Sequence, residues 1–246
     1  MRIIHADLHI HTCLSPCAEL EMSPRGIVNE AVNKGVDMIV VCDHNSAENA
    51  AAVIEASRQT GLTVLPGIEI TSKEEVHILG IFGIPEDAAR MQTLVYEHLE
   101  GKNVASTFGM QVVVDADGTV TGYNDQLLIG ATDLSLEHVV RTIHAHDGLA
   151  IAAHIDREGF GILGQLGFIP PDLNLDALEV TCKVDLKGAR AAFPDYGLYP
   201  FLQSSDAHVL DAIGSGSTPL ILEAASFDEL KLALRGEQGR RVCYEG

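Results

Sequence analysis

His9 and His11 stand one residue apart in the run Ala6-Asp7-Leu8-His9-Ile10-His11-Thr12. Residues 3–10 alternate apolar and polar as a strand does, and on a strand residues i and i+2 point the same way. Two imidazoles held side by side offer two nitrogens to one metal ion. Further donors recur along the chain: Asp43-His44, Glu69, His77, His154, and the Asp206/His208 pair in Ser204-Ser205-Asp206-Ala207-His208. Imidazole with carboxylate suits zinc, iron or manganese. A single histidine among eleven is ordinarily a surface or core residue, but six histidines and three carboxylates at or near strand-like runs are a pattern. His98, His138 and His144 fall inside helical patterns and His146 near a helix end, so they stay out of it. His5 precedes His9 by four, which keeps it on the same strand face as a supporting residue at best.

The elements that must position these donors alternate. Strand-like runs are predicted over 36–42, 62–70, 76–82, 149–153, 177–181, 200–204 and 219–222. Helical patterns fall over 46–60, 86–99, 135–146, near 187–192 and over 227–235, with one more opened by Ser23-Pro24. Repeated β-α units with buried strands imply a parallel sheet, open or closed. In an α/β barrel the strand C-terminal ends share one rim, which carries the active site. Most of the donors sit at such ends. Residues 110–128 break the pattern, with QVVV and TVTGY around Asp115-Ala116-Asp117-Gly118, a hairpin signal. The chain is expected to be a single catalytic domain of 246 residues, with a β-hairpin excursion at about 108–130.

The formal net charge is −19. Such a surface repels long nucleic-acid backbones, although a short oligonucleotide is still accommodated at a local cationic site. No apolar run reaches the ~20 residues of a membrane span. The start of the chain has no signal-peptide pattern, so a cytoplasmic location is expected. Five cysteines do not suggest a disulfide scaffold. Cys42 and Cys182, in apolar runs, are expected to be buried thiols.

DLHIHT, VCDHNS, GIEIT followed by EVHILG, AAHID and SSDAH together resemble, in order, the motifs of the PHP (polymerase and histidinol phosphatase) superfamily. The resemblance implies a distorted seven-stranded β/α (TIM-like) barrel with two or three divalent ions, and phosphoester hydrolysis as the usual activity. By it, His9, His11, Asp43, His44, Glu69, His77, His154, Asp206 and His208 are metal-site residues. Glu69 bridges two ions, and Asp43 is an orienter or a ligand. Relatives commonly place a histidine or aspartate in the loop after the first pair. Here Cys17 occupies that position, and its thiolate would favour zinc or iron.

The expected chemistry is hydrolysis of a small phosphorylated metabolite or nucleotide. Metal coordination lowers the pKa of a water to near neutrality, which supplies the nucleophile. Glu69, His154, Asp206 and His208 are the catalytic candidates, the last three for protonating the leaving group. Arg157 and Lys183 are candidate phosphate contacts. The same chemistry would serve a C–N or C–O hydrolase, and a non-catalytic metal-dependent regulatory module is the third reading. Gly159-Phe160-Gly161-Ile162-Leu163-Gly164 matches G-x-G-x-x-G without the strand and acid a dinucleotide site needs. It is expected to be a flexible loop near the rim that could contact substrate.

Overall fold

Helices begin where the sequence supplies caps. Ser23, Ser135, Asp185 and Ser226 each accept a backbone N–H in the first turn of α1 (Pro24–Asn33), α5 (Leu136–Ala145), α7 (Leu186–Ala192) and α8 (Phe227–Arg235), the usual N-cap geometry. The other helices are α2 (Ala50–Ser57), α3 (Pro85–Glu97), α4 (Ala105–Phe108) and α6 (Ile162–Leu166). The computed structural model describes residues 1–244. The helix expected from residue 46 starts only at Ala50, because Ser46 bonds Tyr96 and Gln92 while Asn49 bonds loop backbone.

The strands are β1 (Arg2–Ile10), β2 (Met38–Val41), β3 (Thr63–Thr71), β4 (His77–Ile81), β5 (Val112–Val114), β6 (Val120–Tyr123), β7 (Leu149–Ala152), β8 (Ala177–Val180), β9 (Phe201–Gln203), β10 (Thr218–Leu222) and β11 (Arg241–Val242). Nine of them form one sheet in the order β11-β10-β1-β2-β3-β4-β7-β8-β9. Ala207 N–H and His11 N–H bond the carbonyls of His9 and Ala207, which brings the segment after β9 back onto β1. Seven strands thus surround a nearly closed barrel, while β10 and β11 extend the sheet from the first half of β1. The strand count of the sheet exceeds the expected seven for that reason.

The sheet is mixed, not parallel. β1 pairs with β10, β3 with β4, and β4 with β7 in antiparallel fashion. The reversal at β4 matters for the site. Its first residue, His77, pairs with Thr71 at the end of β3, so His77 reaches the rim from the start of its strand.

A second irregularity lies in β1. Against β2 the register runs Ala6↔Met38, Asp7↔Ile39, then Ile10↔Val41, so one extra residue is inserted, a β-bulge. Ile4, Ala6 and Leu8 join the cluster inside the barrel, whereas Ile10 joins the layer under α1 and α2 with Ile39 and Val41. Past the bulge the odd-numbered residues, His9 and His11, therefore turn inward. His5, before it, is exposed; the expected shared face with His9 is broken by the inserted residue.

The excursion is a two-stranded sheet of β5 and β6, turned by Asp115, whose Oδ1 accepts from the N–H groups of Asp117 and Thr119. Buried amides dock it on the rim. Asn49 Nδ2 donates to Val112 O (3.0 Å) and its Oδ1 accepts from Val114 N (3.0 Å). Asn45 Nδ2 donates to the carbonyls of Leu128 (2.8 Å) and Gly130 (2.7 Å). Gln111 bonds the backbone at 124, 126 and 128.

Replacing Asn49 by Ala leaves the Val112 carbonyl and Val114 N–H buried without this partner, which should lower stability by about 1–3 kcal/mol. Hydrogen exchange should speed up at Val114 and its neighbours while β2 and β3 stay protected; unchanged protection of β5 would contradict this docking role.

Candidate metal centre

Glu69 lies on β3, 1% exposed, in a strand whose neighbours are apolar. Its carboxylate is surrounded by imidazoles. Oε1 is 2.7 Å from His77 Nδ1 and 3.3 Å from His154 Nε2. Oε2 is 2.8 Å from His44 Nδ1 and 3.4 Å from His11 Nε2, and His9 Nε2 is 3.4 Å from Oε1. Burial raises a carboxyl pKa, but the imidazoles of His77, His9 and His44 outweigh it and hold Glu69 well below the usual range.

Asp206 closes the first set. Its Oδ1 is 3.4 Å from His9 Nε2 and 3.2 Å from His11 Nε2, and the two nitrogens are 3.1 Å apart. An ion with bonds of about 2.1 Å spaces its donors by about 3.0–3.4 Å, so these side chains fit one cation. A second set comprises Glu69, His44 and His77, with His154 Nε2 3.3 Å from His77 Nδ1. The third is His44 and His208 with His11. Cys17 lines the cavity beside His44 and His208. Burial alone would raise its thiol, yet hydrogen bonds with His208 and His44 bring it down to about 6. Glu69 Oε2 is buried, and its 2.8 Å approach to His44 Nδ1 lacks hydrogen-bond geometry, as befits an atom that meets a cation.

The far ring nitrogens of His9, His11 and His208 are held from behind. His9 Nδ1–H donates to the buried carboxylate of Glu179 on β8 (3.1 and 3.2 Å). His11 Nδ1 meets Ser15 Oγ at 2.8 Å, and that hydroxyl donates to Asp43 Oδ1 at 2.7 Å. His208 Nδ1–H donates to the carbonyl of Asp206. Each such bond leaves Nε2 free as a donor. Glu179 went unnoticed in the sequence; its signal is an acid in the otherwise apolar run ALEV.

Two backbone outliers lie among these residues, His154 at φ 31° and Asp206 at φ 51°. Left-handed φ in a non-glycine residue costs roughly 1 kcal/mol or more. Each turns the chain immediately after a strand, where a straight continuation would carry the side chain away from the rim.

Two expectations require correction, and of the two roles open to Asp43 its hydrogen bonds match the orienting one. Asp43 is brought to the rim, but its oxygens accept from Thr12 N, Thr12 Oγ1 and Ser15 Oγ (2.7 Å each), so it braces the loop after β1. Lys183 is exposed in the turn before α7 and does not line the cavity over the donors. Cys182 is exposed rather than buried, because β8 stops at Val180.

That cavity, about 220 Å³, is lined by Cys17, His44, Glu69, His77, Ile129, Arg157, Phe160, Asp206 and His208. Arg157 Nη1 donates to Asp206 Oδ2 at 2.8 Å. The loop that carries Arg157 and Phe160 is exposed over residues 157–160 and folds back closely on its own carbonyls at Gly161 and Gly164. A Cβ on Gly161 would stand 2.4 Å from Arg157 O, and one on Gly164 2.2 Å from Glu158 O. A larger, 610 Å³ groove between Arg25, Arg58 and Asp117 holds none of the metal-type donors.

The PHP domain family model matches residues 7–161, and the chain belongs to that family. An uncharacterized protein of Bacillus subtilis, YqxK, is 24% identical over 274 residues, spanning 98% of this chain and 64% of that protein. A 5'-3' exoribonuclease of Haemophilus influenzae is 23% identical over 188 residues, 60% of this chain and 68% of that protein. The lesion-specific endonuclease PfuEndoQ of Pyrococcus furiosus superposes with a TM-score of 0.78 at 19% identity, covering 98% of this chain and 58% of that one. The chain thus spans less than two thirds of the Bacillus protein and of PfuEndoQ. The fold is that of PHP domains, and the donor cluster suits the metal-dependent hydrolysis of the family. No helix among the described residues is long and apolar enough to cross a membrane.

Glu179→Gln should weaken zinc binding about 10–100-fold, the usual effect of losing an outer partner of a ligating histidine, as read by competition with a chelating dye. An unaltered affinity would remove Glu179 from the centre. Burial lowers His44, but Glu69 and Cys17 outweigh it and carry its pKa to about 10. An incoming ion must displace that proton, so affinity should climb with pH until about pH 10, with proton release. Calorimetry in buffers of different ionisation enthalpy counts the protons; a pH-independent affinity would contradict the assignment.

Proposed function

We propose that the chain is a metal-dependent phosphoesterase acting on a small phosphorylated metabolite or nucleotide. The observation that carries this reading is Glu69, one buried carboxylate within 3.4 Å of imidazoles from two donor sets, His9 and His11 of the first and His44 and His77 of the second. His9, His11 and Asp206 with Glu69 would hold one ion, and Glu69 with His77 and His154 a second. Cys17, His44 and His208 would hold a third. Zinc, manganese or iron suits these donors, and the thiolate favours zinc or iron. Bound ions supply Lewis acidity and an activated water.

The chain's own residues supply the rest. Arg157 is the permanent cation among the cavity's lining residues, and its fork suits a phosphoryl oxygen while it steadies Asp206. A neutral amide or lactone would not need it, which favours a phosphoester over C–N or C–O hydrolysis. The cavity lies below the ~300–1,000 Å³ of ordinary small-molecule sites, so it encloses the phosphoryl group while the rest of the substrate lies at its mouth. That size, with the −19 charge, favours a small or terminal phosphoester. The PfuEndoQ likeness, over 98% of this chain, supports a second reading, cleavage of a DNA phosphodiester.

A phosphate-release screen with manganese, zinc and iron, run beside an abasic-site duplex, tests both. Glu69→Gln should lose bound metal and lower turnover more than about 100-fold; an unchanged rate with full metal content would refute the reading. Cys17→Ser should lower the zinc content by one ion per chain in elemental analysis, whereas an unchanged content would exclude the thiolate as a donor.

A further inference from the structure

The cavity walls contain more than phosphate chemistry requires. Phe160 lines the cavity beside Arg157 and is 37% exposed, and Ile129, across the sequence, lines it at 38%. A bulky residue in the left-handed region is a genuine outlier, and Phe160 sits at φ 61°. The surroundings maintain that conformation. Phe160 O accepts from His77 N at 2.9 Å. Gly161 and Gly164 let the loop lie directly on the carbonyls of Arg157 and Glu158. One face of the ring is stacked on His77, with centroids 4.5 Å apart and planes 18° apart. Ile129 is held equally firmly, between the two carbonyls that Asn45 binds. Strain of this kind persists where the surrounding structure over-determines it, and such positions cluster at ligand clamps.

We infer that Phe160 is a specificity-determining residue, a preformed platform that stacks an aromatic ring carried next to the substrate's phosphoryl group. The inference rests on the phosphoesterase reading and narrows it to aryl or nucleobase-bearing phosphoesters. With one face on His77 and the residue still exposed, the ring has a side left for a flat partner. Arg157, three residues earlier, places the anion beside it. Offset stacking on an aromatic face tolerates any flat ring, so the chemistry is shared by an aryl phosphate and a nucleotide.

The test uses the full chain loaded with metal and three probes: p-nitrophenyl phosphate, adenosine 5'-monophosphate and glycerol 2-phosphate. Phe160→Gly removes the ring and suits the observed φ; Phe160→Tyr keeps the ring. For each probe, kcat/KM is divided by that of the unaltered protein, which cancels leaving-group reactivity. The aromatic-to-aliphatic ratio should fall about 10–100-fold in Phe160→Gly, the range of base–aromatic stacking, chiefly through KM, and should persist in Phe160→Tyr. A fall confined to the nucleotide or to the aryl ester identifies which of the two is the substrate class. Equal losses on all three probes, with lost metal, would show that Phe160 only supports His77 and would overturn the inference. So would an unchanged ratio. If the unaltered protein releases phosphate from none of them, the phosphoesterase reading fails separately. Calorimetric binding of adenosine 5'-monophosphate then decides the platform: weaker binding in Phe160→Gly supports it, equal binding ends it.

Discussion

A carboxylate buried on a barrel strand needs a compensating charge, and Glu69 sets this requirement for the molecule. Isolated in an apolar strand it would take up a proton, since desolvation disfavours the ion. Here it stays ionised because imidazoles from four different segments meet it. Protons or metal ions can provide the positive charge among those rings, and the two compete for the same nitrogens. The local balance of charge differs between His9 and His11. Burial lowers both. Glu179, Asp206 and Glu69 bring His9 well above its ordinary value, while His208 and His44 drive His11 further down.

The surrounding architecture serves this convergence. The bulge in β1 rotates His9 and His11 inward; the reversed β4 delivers His77 at its first residue; left-handed turns after β7 and β9 fold His154 and Asp206 back. Asp7 performs a quieter task on the outer face of β1. Its oxygens accept from Ser205 N (2.9 Å) and Gly214 N (2.8 Å), anchoring both ends of the segment that carries Asp206 and His208. Burial takes its pKa up to about 6 despite those bonds. Barrel closure and construction of the centre are therefore one event, since the contacts joining the β9 end to β1 are also those that place Asp206.

The mouth obeys a different logic. An acidic chain that binds an anionic group needs local positive charge, and ions beside Arg157 would provide it. The excursion of β5 and β6 is bolted to the rim by Asn45, Asn49 and Gln111, and the segment after it brings Ile129 to the cavity wall.

Much of this was legible in the residues. His9, His11, His44, Glu69, His77, His154, Asp206 and His208 all reach the rim, because donor type and proximity to a strand end are local properties that one chain displays openly. Element positions were readable for the same reason: hydrophobic periodicity, caps and the Asp-Gly turn act over a few residues. What escaped depended on pairing. Strand direction is decided by which neighbour a strand finds, so a buried apolar run reads alike in a parallel or an antiparallel sheet, and the reversal of β4 leaves no mark in its residues. The bulge that separates His5 from His9 exists only in the register of β1 against β2. Glu179 is 170 residues from His9 in the chain, and Asp43 differs from a ligand only in where its oxygens point. The sequence alone determined which donors exist and which elements carry them. Tertiary structure decided which donors meet, because side-chain direction follows from strand register and backbone twist, and these are settled by contacts between segments far apart in the chain.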